Sequence, residues 1–365
     1  MTKPTPRPGL LDIAPYVPGK SKSGAGKTYK LSSNESALGP APSAIVAAEE
    51  AARDLHLYPD GSALELREKL GKIHGLDADH LIVGNGSDEV LSLAVRCFTS
   101  PGDEVLMTRH GFSYYPLVAM AEGCTPVQAE EDDLVADVDA LLAAVTEKTR
   151  VLFLANPNNP TGTLLADDEV SRLRDGLRDD ILLVLDGAYA EYLIADDYDP
   201  GTGHVARSIA DQNDNVLMTR TFSKIYGLGG MRIGWGYAAP SVIDAMNRAR
   251  PPFNANAPAL AAAEAALDNQ EFVARNREHN FAEMARLVQT LRGHGLSVRD
   301  GQANFILVEC ENEDRARDFL QSCEEAGVFV RGLKSSNLPQ FVRVSIGSRE
   351  ANDAFLAAAE AWAQA

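Results

Sequence analysis

The chain is sparing in cysteine and in basic charge. Its 365 residues include four cysteines, Cys97, Cys124, Cys310 and Cys323. None forms a C-x-x-C pair or stands beside a histidine at metal-ligand spacing, so neither a disulfide framework nor a bound metal is expected. Such usage suits a reducing compartment. Lys and Arg number 34 against 52 Asp and Glu, for a net charge of −18. That balance argues against nucleic acid and against anionic membrane surfaces as partners. Any anionic substrate must therefore be captured by local arginines, against the overall field. Apolar runs are short, and none reaches the roughly 18 residues of a membrane span. The opening MTKPTPRPGL is rich in proline and lacks the apolar stretch of a secretion signal. The expected location is the cytoplasm.

What is present is an ordinary globular composition, 45% hydrophobic and 24% charged, on a length that suggests about two domains. Residues 1–30 carry Pro, Gly, Ser and Lys without periodicity and read as an extended N-terminal arm. Ala41 to Leu55 reads as a helix with Ser43 as its cap, and a second helical stretch follows at 62–75. From residue 81 short apolar runs alternate with helical patterns. The runs are Leu81–Val83, Glu104–Met107, Val151–Leu154, Ile181–Leu185 and Val216–Met218. Most lack strict alternation, as expected of strands covered on both faces. Helical patterns at Ala140–Val145 and Asp168–Leu177 lie between them. The alternation predicts an α/β architecture with a mostly parallel sheet. Beyond residue 240 the texture becomes α+β: a long helical region at Ala257–Leu291, strands at Ala303–Glu309, Val328–Val330 and Phe341–Ser345, a helix near Glu313–Ala326 and a last helix from Arg349. The expected division is an arm at 1–30, a large α/β domain at 51–245, and a small α+β domain formed by 31–50 and 246–365.

In an open parallel sheet ligands bind beyond the carboxyl ends of the strands, so the residues just past each apolar run matter most. Asn156-Pro157-Asn158-Asn159-Pro160-Thr161-Gly162 follows one run, Asp186-Gly187-Ala188-Tyr189 the next, and Thr219-Arg220-Thr221-Phe222-Ser223-Lys224 the third, with Arg232 a little later. One rim thus receives an amide, a carboxylate with a phenol, and an amine. An amine can form a Schiff base with an aldehyde cofactor. A carboxylate can pair with a protonated pyridine nitrogen, while hydroxyls and an arginine can hold a phosphate. Gly84-Asn85-Gly86-Ser87-Asp88-Glu89 opens a helix and offers backbone N–H groups to an anion. Taken singly these features are ordinary: a lysine on a surface, an aspartate capping a helix, an Asn-Pro turn. Their conjunction, in this order, carries the inference.

At these residues the sequence resembles the fold-type I aminotransferases that depend on pyridoxal 5′-phosphate (PLP), and more closely their histidinol-phosphate branch. Matching strings run through nearly the whole chain: Tyr16-Val17-Pro18-Gly19, Leu31–Glu35, Tyr58-Pro59-Asp60-Gly61, Gly84–Glu89, Asn156–Gly162, Asp186 with Tyr189, Thr221–Lys224 with Arg232, and Val342–Gly347. The resemblance implies a PLP-binding large domain with a seven-stranded type of sheet between helices, and a smaller α+β domain. It implies Lys224 as the Schiff-base lysine and proton carrier, Asp186 as partner of the pyridine nitrogen, and Asn159 and Tyr189 on the ring oxygen. Phe112 would stack on the ring, and Gly86, Ser87, Thr221, Ser223 and Arg232 would hold the phosphate. Tyr58 would reach the phosphate of a neighbouring subunit, which implies a homodimer with shared sites. Arg343 would bind an α-carboxylate, Arg331 the phosphate of a substrate, and Tyr16 and Asn34 would line the pocket. The implied activity is ping-pong transamination between histidinol phosphate and 2-oxoglutarate, a step of histidine biosynthesis.

Three positions depart from the family pattern. Ser36-Ala37 replaces Asn-Pro after Asn34-Glu35, Gly187 replaces a Glu after Asp186, and His110-Gly111 replaces Pro-Thr before Phe112. Four other readings stay open on the sequence: an aminotransferase for phenylalanine or tyrosine, another PLP reaction such as decarboxylation or β-elimination, a dinucleotide-binding dehydrogenase using Gly84-Asn85-Gly86, and a PLP-binding regulator. The dehydrogenase lacks the third glycine of its fingerprint, and the regulator lacks a basic segment to read DNA.

Overall fold

The computed structural model describes residues 4–7, 9–13, 27–193 and 205–364. Most of the predicted arm, with Tyr16, lies outside the described residues. In chain order the strands are β1 (Tyr29–Lys30), β2 (Leu81–Gly84), β3 (Glu104–Thr108), β4 (Thr125–Ala129), the short β5 (Glu131–Asp132) and β6 (Val135–Ala136), β7 (Thr149–Ala155), β8 (Leu182–Asp186), β9 (Val216–Thr221) and β10 (Gly234–Ala238). Seven of them form one sheet in the order β2-β10-β9-β8-β7-β3-β4, in which β10 runs antiparallel to both neighbours. The predicted mostly parallel sheet is therefore present, and the three strands preceding the suspect loops, β7, β8 and β9, are adjacent.

Side-chain alternation divides this sheet between two helical layers. Leu152, Leu154, Leu183, Leu185, Val216 and Met218 face α1 (Pro42–Ala51), α2 (Leu64–His74), α5 (Val138–Ala143), α6 (Asp167–Gly176), α7 (Val205–Gln212) and α9 (Ala257–Leu267). Val151, Phe153, Leu182, Val184 and Leu217 face α3 (Ser87–Phe98), α4 (Tyr114–Ala121) and α8 (Pro240–Ala249). Burial on both faces explains the unbroken apolar runs, each buried leucine or valine contributing roughly 1.5–3 kcal/mol. Continuing the same period of two places Ala155, Asp186 and Thr219, which are register partners across β7, β8 and β9, on the α3–α4 side.

A second sheet, β11 (Ser297–Arg299), β12 (Phe305–Glu309), β15 (Leu338–Ser345) and β14 (Arg331–Leu333) in that order, is antiparallel. The second half of α10 (Gln270–Gly293), α11 (Glu313–Glu325) and α12 (Arg349–Ala363) pack on one face of it around Phe319 and Phe355. Chain segment 27–34 lies against this smaller unit through β1, which pairs with β13 (Val328–Phe329).

Local departures from the expectations have physical reasons. Pro42 opens α1 and Ala41 precedes it, so Ser43 is not the cap; its hydroxyl turns to the carbonyl of Ala265 at 3.4 Å. The helical region 257–291 is two helices, because Asn269 accepts a bond from the Phe272 amide and starts α10 afresh. β4 and β10 were not expected: β4 is a polar edge strand containing Pro126, and β10 carries two glycines. Gly234 is required there, because a Cβ would stand 2.3 Å from the Ser87 amide nitrogen. Helices α1 and α9 join the large core, whereas the boundaries 31–50 and 246–365 assigned them to the small domain. The small core takes up α10 only from Met284. On this packing we propose that the domains divide within α10.

Candidate active site

The three strand tips and the start of α3 enclose an inner cavity of about 130 Å³, lined by Ser87, Phe112, Asn159, Asp186, Tyr189, Thr221, Ser223, Lys224 and Arg232 among others. It adjoins an outer chamber of about 540 Å³ that reaches Ser32, Asn34, Tyr114, Arg331, Leu333, Ser335, Ser336 and Arg343. Asp88, Phe112, Asn159, Lys224 and Arg232 line both.

Asp186 is buried at the end of β8. Its Oδ2 accepts a bond from the Tyr115 hydroxyl at 2.8 Å, and its Oδ1 accepts from the Thr219 hydroxyl and the Ala188 amide, each at 3.2 Å. Burial raises the Asp186 carboxyl above its ordinary range, and the bonds from Tyr115 and Thr219 pull it back. Lys224 sits on the loop after β9 with its Nζ 5.7 Å from the centre of the Tyr189 ring.

Of the asparagines in the Asn156–Asn159 loop, only Asn159 lines the cavity. Asn156 staples the loop by exchanging bonds with Leu165, and Asn158 donates to the His110 carbonyl and to Thr161. The Asn159 oxygen accepts from Arg343, which leaves its NH₂ as a donor. The Tyr189 hydroxyl accepts a bond from Asn34 Nδ2 at 2.8 Å, which leaves its own proton for the cavity. Asn34 is itself fixed by Ser345, whose hydroxyl accepts from the Asn34 amide at 2.8 Å and donates to Asn34 Oδ1 at 2.9 Å.

Gly86 lies behind the cavity wall. With φ of 78° it turns the chain into α3, and a Cβ there would come within 2.6 Å of an Arg232 nitrogen. Arg232 donates to the Gly229 carbonyl at 3.0 Å and pairs with Asp88 at 3.1 Å. Its guanidinium, the Ser87 and Ser223 hydroxyls and the amino end of α3 form a cationic, donor-rich corner.

Arg343 is buried and donates to the Ser32 carbonyl at 3.0 Å. Arg331 lines the outer chamber only. Tyr58 lies in neither cavity: it is 83% exposed and stacks on Phe253 with ring centres 4.6 Å apart.

Sequence reasoning passed over Tyr115, Thr219, Asp88 and Ser345. Tyr115 stands three residues after Phe112, the spacing that puts two side chains on one helical face. Ser345 stood in the Val342–Gly347 string, but nothing beside it in sequence points to Asn34. The three departures from the family pattern have local accounts. Ser36 donates to Asn276 at 2.9 Å. A Cβ at Gly187 would meet the Arg220 side chain at 3.0 Å. Glu131 accepts from the His110 amide at 3.0 Å and bonds its ring at 2.8 Å.

The profile of the aminotransferase class I and II family matches residues 27–358, and the chain belongs to that family. It is 47% identical to a histidinol-phosphate aminotransferase of Ruegeria pomeroyi, over 100% of this chain and 99% of that one. A second relative of that description, from Rhodospirillum centenum, is 47% identical over 95% of each chain. Among solved structures, histidinol-phosphate aminotransferase from Sinorhizobium meliloti in complex with pyridoxal 5′-phosphate superposes with a TM-score of 0.90 at 28% identity, over 97% of this chain and 96% of that one.

Proposed function

We propose that the chain is a histidinol-phosphate aminotransferase that uses PLP and 2-oxoglutarate, working in the cytoplasm as a homodimer. The observation that carries this reading is the meeting of Lys224, Asp186 and Asn159 on one cavity beside the cationic end of α3. Full-length identity of 47% to relatives of that description supports the substrate.

The residues present fit the cofactor. Asp186 is a buried carboxylate with no cation partner among the described residues, which suits a ring bearing a protonated nitrogen. The corner of Ser87, Ser223, Arg232 and the α3 terminus suits a phosphate. When bound, PLP supplies an aldehyde carbon to receive the amino group and a ring to withdraw electrons from the substrate.

Each side chain then has a task. Asp186 would hold a proton at the ring nitrogen, the Asn159 NH₂ and the Tyr189 hydroxyl would donate to the ring oxygen, and Phe112 would cover the ring face. The Lys224 amine would take the proton from the substrate α-carbon and deliver it two bonds away, on the far side of the nitrogen. Arg343, braced by Asn159 and Ser32, holds the carboxylate of 2-oxoglutarate or glutamate, and Arg331 holds the phosphate of histidinol phosphate. Tyr58 reaches the neighbouring subunit's phosphate corner; its exposure beside Phe253 supports that role.

The test is a half-reaction panel: purified PLP-loaded protein is mixed singly with histidinol phosphate, glutamate, phenylalanine and tyrosine, and the loss of visible absorption is timed. Histidinol phosphate is expected to react with the highest ratio of rate to half-saturating concentration. Faster aromatic donors would move the assignment to the aromatic aminotransferases.

A further inference from the structure

Tyr115 is 1% exposed at the first turn of α4, and its ring lies nearly parallel to Phe153 of β7, with centres 4.4 Å and planes 7° apart. Its edge meets Phe112 at 5.6 Å in a T-shaped contact. Its hydroxyl donates to Asp186 Oδ2 at 2.8 Å. A fully buried phenol needs a partner, and here the partner is Asp186, the carboxylate at the end of β8 that lines the inner cavity. Packing alone does not require the oxygen, since a phenylalanine would make the same stack on Phe153.

We propose that Tyr115 is a positioning residue that locks the Asp186 carboxylate and the Phe112 ring into one rigid unit, through its hydroxyl on one side and its ring edge on the other. This rests on the reading of Asp186 as partner of the cofactor's ring nitrogen. The carboxylate can turn about its last torsion unless both oxygens are held. Thr219 and Ala188 hold Oδ1 with bonds at 3.2 Å each, whereas Tyr115 holds Oδ2 with a shorter one. The stack on Phe153 packs the ring against the sheet but holds neither carboxylate oxygen. Phe112, whose ring can make no conventional hydrogen bond, rests its side chain on the same ring. The floor and one face of the cofactor site are thereby set by a residue that touches neither substrate nor cofactor.

The test uses the PLP-loaded protein with Tyr115→Phe and, for comparison, Phe153→Leu, which weakens the stack but keeps the hydroxyl. Tyr115→Phe is expected to lower kcat by roughly 10- to 100-fold, the range for loss of a hydrogen bond to a charged group. The KM for the amino donor should stay within about twofold, and the dissociation constant for PLP, titrated by absorbance, should rise about tenfold. The cofactor-free protein should melt near the parental temperature. Phe153→Leu should instead lower the melting temperature and leave kcat within about threefold. A Tyr115→Phe protein with parental kcat and PLP affinity overturns the proposal, and so does a Phe153→Leu protein that matches its kcat loss. Failure of the underlying reading looks different: the unmodified protein would then show no Lys224-dependent visible absorption with PLP.

Discussion

Arg331 and Arg343 are register partners across the β14–β15 ladder, and both line the outer chamber. Like charges directly opposite one another on a sheet are unfavourable, so the pair is suited to a ligand that brings negative charge. Arg343 is anchored by Asn159 and Ser32, whereas no hydrogen bond or ion pair holds Arg331 among the described residues. The two therefore differ in what they can recognise. Arg331→Ala is expected to raise KM for histidinol phosphate by roughly 10- to 100-fold, as for loss of a charge-assisted bond, while phenylalanine and tyrosine change by less than about threefold. Steady-state kinetics on both donor types check this, and equal losses would make Arg331 a general anion contact.

Lys224→Ala should abolish the visible absorption that PLP gives with the parental protein and cut turnover by at least about 10³-fold, through loss of both the amine and the proton carrier. Absorbance spectra and single-turnover assays measure the two effects separately. A variant with the parental spectrum would remove Lys224 from the site.

If Tyr58 serves the neighbouring subunit, two defective variants should repair one another. Tyr58→Ala and Lys224→Ala protein, mixed, unfolded and refolded together, should form a heterodimer with one intact site. Random pairing of a symmetric dimer then predicts about a quarter of the parental activity. The assay is run at a PLP concentration that leaves Tyr58→Ala alone largely inactive. Activity no higher than the sum of the separate variants would place Tyr58 outside any shared site.

Glu283 joins α10 to α12. It bonds Arg286 at 2.6 Å, Asn352 at 2.8 Å and Arg349 at 3.0 Å. Burial by itself would raise this carboxyl, but the bonds from Arg286 and Asn352 outweigh it and hold it at about 2, against an ordinary value of 4.5. A carboxyl depressed in the folded state stabilises fully above its unfolded value and loses that contribution as pH falls towards the folded one. Glu283→Gln should therefore lower the apparent melting temperature at pH 7 by roughly 2–6 °C, for about 1–2 kcal/mol of lost charge-assisted bonding. The gap should narrow as pH falls from about 4.5 towards 2. Melting curves across pH test it, and a gap independent of pH would mean that the carboxylate charge contributes nothing.

The large sheet was legible because strands buried on both faces must be apolar throughout, and Lys224, Asp186 and Asn159 stood where such strands end. Other features depend on contacts between distant segments. Among the clustered rings Phe112, Tyr114 and Tyr115, packing on Phe153 decides which one is buried. β10 reads as a poor strand because Gly234 answers to the approach of Ser87 instead of to strand propensity. The packing of α1 was hidden too, since its alanines give no hint that their partner is α9. The partners of Asn34 are likewise invisible from its neighbours in sequence.

Asn34 spans the two ends of the chain: it bonds Ser345, 311 positions later, and hands Tyr189 its hydrogen bond. During synthesis the amino-terminal segment must wait, exposed, until the final strand has left the ribosome. At about 5–20 residues per second that delay is roughly 15–60 s. A polypeptide cut between Ala238 and Ser345 keeps every strand of the larger sheet, yet leaves Asn34, which braces the Tyr189 phenol, without Ser345. Completion of the catalytic pocket thus waits on a strand made 311 positions after the segment it fastens.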